Sequence, residues 1–178
     1  HRALQTANNG LHAKLVASVP GAGPYHLGVT MDAILARVRD ENPLIAGLIS
    51  PGFLSKLGST VRDEVRRLLL RAIVPSDATV VFQPTFLDNY LADDTAAMDR
   101  DSNVHNWTPA RPIHFYHGRD DGTVAYSATL RAVQTMQGRG AQTVSLTDCT
   151  AVPASHLGCV QPYFGFMLER LASLARDL

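Results

Sequence analysis

Two short segments hold the residue types that could do chemistry together. In the first, Pro112-Ile-His-Phe-Tyr-His-Gly-Arg-Asp-Asp-Gly-Thr-Val124, an apolar stretch runs into a Gly-bearing turn that offers Asp121, with Asp120 beside it. In the second, Ala154-Ser-His-Leu-Gly158, the imidazole of His156 sits in a loop between an expected strand and an expected helix. A carboxylate and an imidazole at strand ends suit general-base catalysis. The acid fixes the ring tautomer and stabilises the imidazolium formed during proton transfer. The blander reading of Asp120-Asp121-Gly122 is a solvated turn, which that composition also favours.

Other candidates are weaker. His114 and His117 are three apart on or just after a strand, so they point to opposite faces and make a poor metal pair. His12, His26 and His105 have no acidic or thiol partners at ligand spacing. No metal and no cofactor is therefore expected. Cys149 and Cys159 are the only cysteines and they bracket His156. Ten residues apart, they can close a loop if their Cα atoms lie within about 7 Å. A disulfide there would hold the histidine loop and would imply a secreted or periplasmic protein; two buried thiols are the alternative.

The elements that must position these groups begin inside a helix. Residues His1 to Thr6 read as its tail, stopped at Asn8-Asn9-Gly10. Lys14-Leu-Val-Ala-Ser-Val-Pro20 reads as a strand buried on both faces of a parallel sheet, ended by Gly21-Ala-Gly-Pro24. From about Val29 to Asn106 the pattern turns helical. Met31, Ile34, Leu35 and Val38 form one apolar stripe, and Val61, Val65, Leu68, Leu69 and Ala72 another. Ser59 or Thr60 can cap the second helix, with Arg62, Arg66, Arg67 and Arg71 on its solvated side. Phe82, Phe86, Tyr90 and Leu91 read as packing residues, and so does Trp107.

From Pro112 onward the order is strand, helix, strand, helix. Ile113 to Tyr116 is the first strand. Tyr126, Leu130, Val133 and Gln137 trace a helix, the first three facing inward, that Gly138 and Gly140 terminate. Thr143 to Thr147 is a strand near a sheet edge. Phe164, Met167, Leu168, Leu171, Leu174, Ala175 and Leu178 mark an amphipathic final helix with Pro162 in its first turn. A strand–helix–strand unit of this length implies a parallel crossover and an α/β fold.

With 178 residues and 46% hydrophobic content the chain can bury a real core. Its 16 Lys and Arg balance 16 Asp and Glu, so no global field attracts nucleic acid or an anionic membrane. No apolar run approaches the roughly 18 residues of a spanning helix, so stable membrane insertion is not expected. The first residues do not form a signal peptide and His1 is not an initiator Met, which points to a processed or truncated product.

These segments resemble the C-terminal half of an α/β-hydrolase, in particular the lid-bearing secreted lipases and esterases of bacteria. Val19-Pro-Gly-Ala-Gly-Pro-Tyr25 is similar to the loop after the strand that follows the family's nucleophile helix. His-Gly, two residues, Asp, two residues, Val is similar to the acid turn and implies Asp121 as catalytic acid, with Asp120 as fallback. His156, before the last helix, matches the catalytic histidine, in the acid-then-histidine order of the family. The resemblance implies a hydrolase core over 1–28 and 107–178 and a helical cap over 29–106.

One part of the pattern is missing. The family carries its nucleophile in Gly-x-Ser-x-Gly, which does not occur here; Ser18 lies in the expected buried strand and Ser155 beside the histidine. The elbow is expected upstream of His1, within about fifteen residues for a helix of ordinary length. The resemblance then implies an ester hydrolase acting on apolar acyl esters. The partner of this portion would be the missing N-terminal half or a second copy of the chain. The rival readings are a binding module for lipid or protein that has lost its nucleophile, and a peptidase of the same fold.

Overall fold

A parallel strand pair is the frame that positions the two chemical segments. β1 (Ile113–His117) pairs with β2 (Val144–Asp148) in register from Ile113 opposite Val144 to His117 opposite Asp148. The connection is a helix, Tyr126–Gly138, as parallel strands require. The computed structural model describes residues 1–7, 10–41, 56, 58–73, 84–102 and 104–175. The expected stop at Asn8-Asn9, and Phe82 and Leu178, lie outside these residues, as do the side chains of Val38, Leu68, Leu69, Arg71 and Ala72.

In chain order the helices are α1 (Arg2–Thr6), α2 (Leu27–Glu41), α3 (Ser59–Ile73), α4 (Pro84–Leu91), α5 (Thr95–Ser102), α6 (Tyr126–Gly138) and α7 (Val160–Ala172). The chain divides into two compact units, 1–26 with 104–178, and 27–103.

In the first unit, β1 separates two clusters because its side chains alternate. Ile113 and Phe115 join Trp107, Val133, Met136, Ala141 and Val144 on the α6 side. Tyr116 joins Cys149, Ala154 and Cys159 on the other, where Tyr163 and Phe166 bring in α7. α6 buries the small residues Ala128, Thr129 and Ala132 with Val133 and Met136, so Leu130 faces outward rather than inward. Small side chains let the helix approach the sheet closely. Gly140, at φ +91°, then takes the left-handed turn that leads into β2.

The expected strand Lys14 to Pro20 is reduced to one bridge. Leu11–Lys14 is a 3₁₀ turn and only Ser18 pairs with Ile113, in parallel. Val16 is exposed while Ala17 is buried, so burial on both faces does not hold. With β1 on one side and no strand on the other among the described residues, this segment is an edge. α1 is fastened to the core by Gln5, which donates to the Thr108 carbonyl and accepts from the Ala110 amide.

α7 forms with Pro162 in its first turn as expected but ends at Ala172, short of Leu174 and Ala175, and one apolar row of this segment is uncovered. Phe164 and Leu168 are 51% and 62% exposed, and Leu171 and Leu174 are exposed too. In the helical unit, Met31, Ile34 and Leu35 of α2 pack with Val65 of α3 and with Leu87, Tyr90 and Leu91 of α4. Val61 is exposed, one turn too early for the core. Ser59 and Thr60 lie within α3, and the Gly58 carbonyl takes the first helical amides, so neither hydroxyl residue is the cap. Tyr90 donates to Asp32, and Asp94 caps α5 through the Ala97 amide.

Candidate active site

β1 delivers His117, and the four residues after it turn back to present Asp121. One carboxylate oxygen, Oδ1, accepts the amides of Thr123 (2.8 Å) and Val124 (2.9 Å). An Asp that bonds the backbone two residues on is what makes this composition turn, and here it also fixes the carboxylate plane. The other oxygen, Oδ2, faces the second segment.

Four features hold the histidine loop against the acid turn. The Cys149–Cys159 disulfide, with Cα atoms 5.9 Å apart, joins the end of β2 to the residue before α7. The Cys149 amide donates to the His117 carbonyl. Asp120 accepts the Ala154 amide through Oδ2, so it braces the loop instead of serving His156. Gly118 lets the loops touch: a Cβ there would stand 2.0 Å from the Ala154 carbonyl oxygen and 2.7 Å from Cys159 Sγ.

His156 Nδ1 lies 2.7 Å from Asp121 Oδ2, with the carboxylate fully buried and the imidazole side chain 33% exposed. A carboxylate only accepts, so Nδ1 carries the hydrogen and Nε2 is the basic nitrogen of the neutral ring. Burial alone would raise the Asp121 pKa. The bond from His156, the amides of Val124 and Thr123 and the charge of His156 outweigh it and hold the acid below the ordinary carboxylate range. With an ionised acid behind it, an accessible imidazole can take a proton at Nε2, and the acid stabilises the cation that results.

A third group was not expected from the sequence. His117, wholly buried, puts Nε2 3.1 Å from Asp121 Oδ2 and 3.0 Å from the Val124 carbonyl, and Nδ1 2.5 Å from Thr129 Oγ1. Burial lowers its pKa against the opposing pull of Val124 and Asp121. Strand alternation could have found it. His117 follows Ile113 and Phe115 on the face toward α6, where an imidazole needs partners, and Asp121 is four residues away. His114 is on the opposite face and bonds Ser145.

At the flank, Asp148 accepts from Arg119 Nε and from the Tyr126 hydroxyl, tying the acid turn to the ends of β2 and α6. Neither serine considered from the sequence pairs with His156. Ser18 Oγ is 2.8 Å from His1 Nδ1, and Ser155 Oγ accepts the Gly158 amide. A cleft of about 650 Å³ lined by His1, Ser18, Tyr25, Trp107 and Phe115 lies in the same unit, apart from the Asp121–His156 pair. Among the described residues no helix is long and apolar enough to cross a membrane.

No protein-family model matches the sequence, and no curated protein does. Solved structures do resemble the fold. A point mutant of the rice cell wall degrading esterase LipA from Xanthomonas oryzae aligns at TM-score 0.56 and 19% identity, covering 98% of this chain and 55% of that one. A candidate hydrolase from Legionella pneumophila aligns at TM-score 0.54 and 15% identity, covering 91% and 49%. The chain thus spans about half the length of the structures it matches, and it has the fold of the C-terminal half of an α/β-hydrolase.

Proposed function

We propose that this chain is the C-terminal portion of a serine hydrolase that cleaves carboxylic esters, a lipase or carboxylesterase, with Asp121 and His156 as the acid and imidazole of its triad. The observation that carries the reading is the 2.7 Å bond from an accessible imidazole to a buried, ionised carboxylate. A serine hydroxyl from the polypeptide upstream of His1 attacks the ester carbonyl while His156 Nε2 takes its proton. The tetrahedral adduct expels the alcohol, which leaves with that proton, and water then repeats the cycle on the acyl-serine. Asp121 keeps Nδ1–H in place and stabilises the imidazolium.

An apolar acyl ester is the proposed substrate. With the helical unit proposed as the lid and one similar structure named an esterase, this step is analogy of fold. The disulfide supports a secreted or periplasmic site of action. The uncovered row on α7 and the one-sided edge at Ser18 support a docked partner, the N-terminal half of the enzyme or a second copy. A monomer by light scattering that binds no apolar dye contradicts that docking.

The test is to read the coding sequence upstream of His1 and to label the full-length product with a fluorophosphonate. The expected result is an in-frame Gly-x-Ser-x-Gly whose serine is phosphonylated. Neither motif nor labelling would select a non-catalytic binding module, while labelling with amide turnover in place of ester turnover would select a peptidase.

A further inference from the structure

We infer that His117 is a positioning residue for Asp121: a neutral Nε2–H donor, locked by Thr129, that holds the carboxylate oxygen facing His156. Its catalytic consequence rests on the hydrolase reading above; its hydrogen-bonding state does not.

The proton placement follows from the partners. Nε2 faces the Val124 carbonyl at 3.0 Å and Asp121 Oδ2 at 3.1 Å, and neither oxygen can donate. Nε2 must therefore carry hydrogen, because the opposite tautomer would set a lone pair against two oxygens. Nδ1 then accepts, and the Thr129 hydroxyl, 2.5 Å away on α6 and fully buried, is the donor. A second proton on the ring would require the Thr129 hydroxyl to turn and accept instead, and would place a positive charge in a wholly buried site. The groups around the ring are Asp121, His156 beyond it, and the Tyr126 ring edge-on at 5.7 Å.

Asp121 Oδ2 thus has two imidazole donors of different kind. His156 is accessible and can gain a proton; His117 is sealed and neutral. A neutral donor restrains the carboxylate without adding a positive charge that would compete with the imidazolium of His156. With two amides on Oδ1, both oxygens are held before any substrate arrives, the kind of fixed second layer that orientation-sensitive catalysis needs.

The test is long-range ¹H–¹⁵N NMR of the chain with its disulfide intact. The expected pattern is an Nε2–H tautomer at His117 that persists down to about pH 6, where a free imidazole is largely protonated. His117→Leu shifts the His156 Nδ1–H resonance, and His117→Gln, whose amide can reach the Nε2 position, restores it. Should the Leu variant not fold, Thr129→Val, which leaves Nδ1 without its donor, shifts the same resonance by less while Nε2–H persists at His117. An Nδ1–H tautomer in the wild type, a freely titrating His117, or a His156 signal indifferent to every folded variant overturns the inference. In the full-length enzyme His117→Leu lowers kcat by about ten- to a hundredfold with KM within about twofold, and Gln recovers most of it. If the wild type hydrolyses no ester, the hydrolase reading fails while the NMR result still decides the state of His117.

Discussion

Asp120 and Ala154 bond each other twice: the Asp120 amide donates to the Ala154 carbonyl at 3.2 Å, and the Ala154 amide to Asp120 Oδ2 at 2.9 Å. The neighbouring acids thus divide the work, Asp120 tying the two loops and Asp121 meeting the imidazole. Asp120→Ala removes one acceptor and is expected to cost about 1 kcal/mol, with Asp120→Asn retaining most of the stability. In the full-length protein the Ala variant is expected to slow the proposed hydrolysis without abolishing it. Thermal melts and kcat of the two variants check this.

Gly118 makes the same junction possible sterically. Its Cα lies where any Cβ would overlap the Ala154 carbonyl and press on the disulfide sulfur of Cys159. Backbone and a cross-linked sulfur cannot swing away as a flexible side chain would. Gly118→Ala is expected to destabilise the first unit by about 3 kcal/mol, whereas Gly122→Ala, with open space around it, is expected to change little. Paired urea denaturation curves separate them.

The disulfide closes a ten-residue separation around His156. Its loss is expected to cost about 2–3 kcal/mol, in line with a short closed loop, and the larger effect is local. Limited proteolysis under reducing conditions should cut first between Cys149 and Cys159, and Cys149→Ala with Cys159→Ala should show the same cleavage without reductant. Unchanged resistance would mean that the Asp120 and Gly118 contacts suffice to hold the loop.

Much of this junction was legible from residue types and spacing. Asp121 and His156 stood out because an acid turn after an apolar strand and a histidine before a final helix are unusual pairings, and the flanking cysteines pointed to a staple. The role of His117 is not legible in the sequence because its partners come from three places: Asp121 from the turn, Val124 from the backbone and Thr129 from α6. A one-dimensional pattern shows none of these together. Large apolar residues do not mark the inward face of α6: Leu130 looks outward, and Ala128, Thr129 and Ala132 make the close approach. The apolar run before Pro20 read as a central strand, but hydrogen bonds to a neighbour decide pairing, and only Ser18 and Pro20 make them to β1.

Acid should destabilise the chain in two steps of the same sign. Burial holds the His117 pKa below 6.5, so the unfolded state takes up a proton first as the pH falls through that value. The stability it contributes is complete above 6.5 and is lost as pH drops through the lower folded value. Asp121 is likewise held below 3.8, chiefly by His156 and two amides working against burial, and adds a second loss beneath that pH. Melting temperatures measured across pH should decline in both windows. His117→Gln should flatten the first and Asp121→Asn the second.

The most direct test of the central claim is kcat/KM of the full-length protein on a short-chain p-nitrophenyl acyl ester, compared with His156→Ala and Asp121→Asn. Loss of a triad member is expected to lower the rate about 10³- to 10⁶-fold for His156→Ala and about 10⁴-fold for Asp121→Asn, with the fold and the disulfide unchanged. Hydrolysis at the wild-type rate by a folded His156→Ala protein would contradict the account.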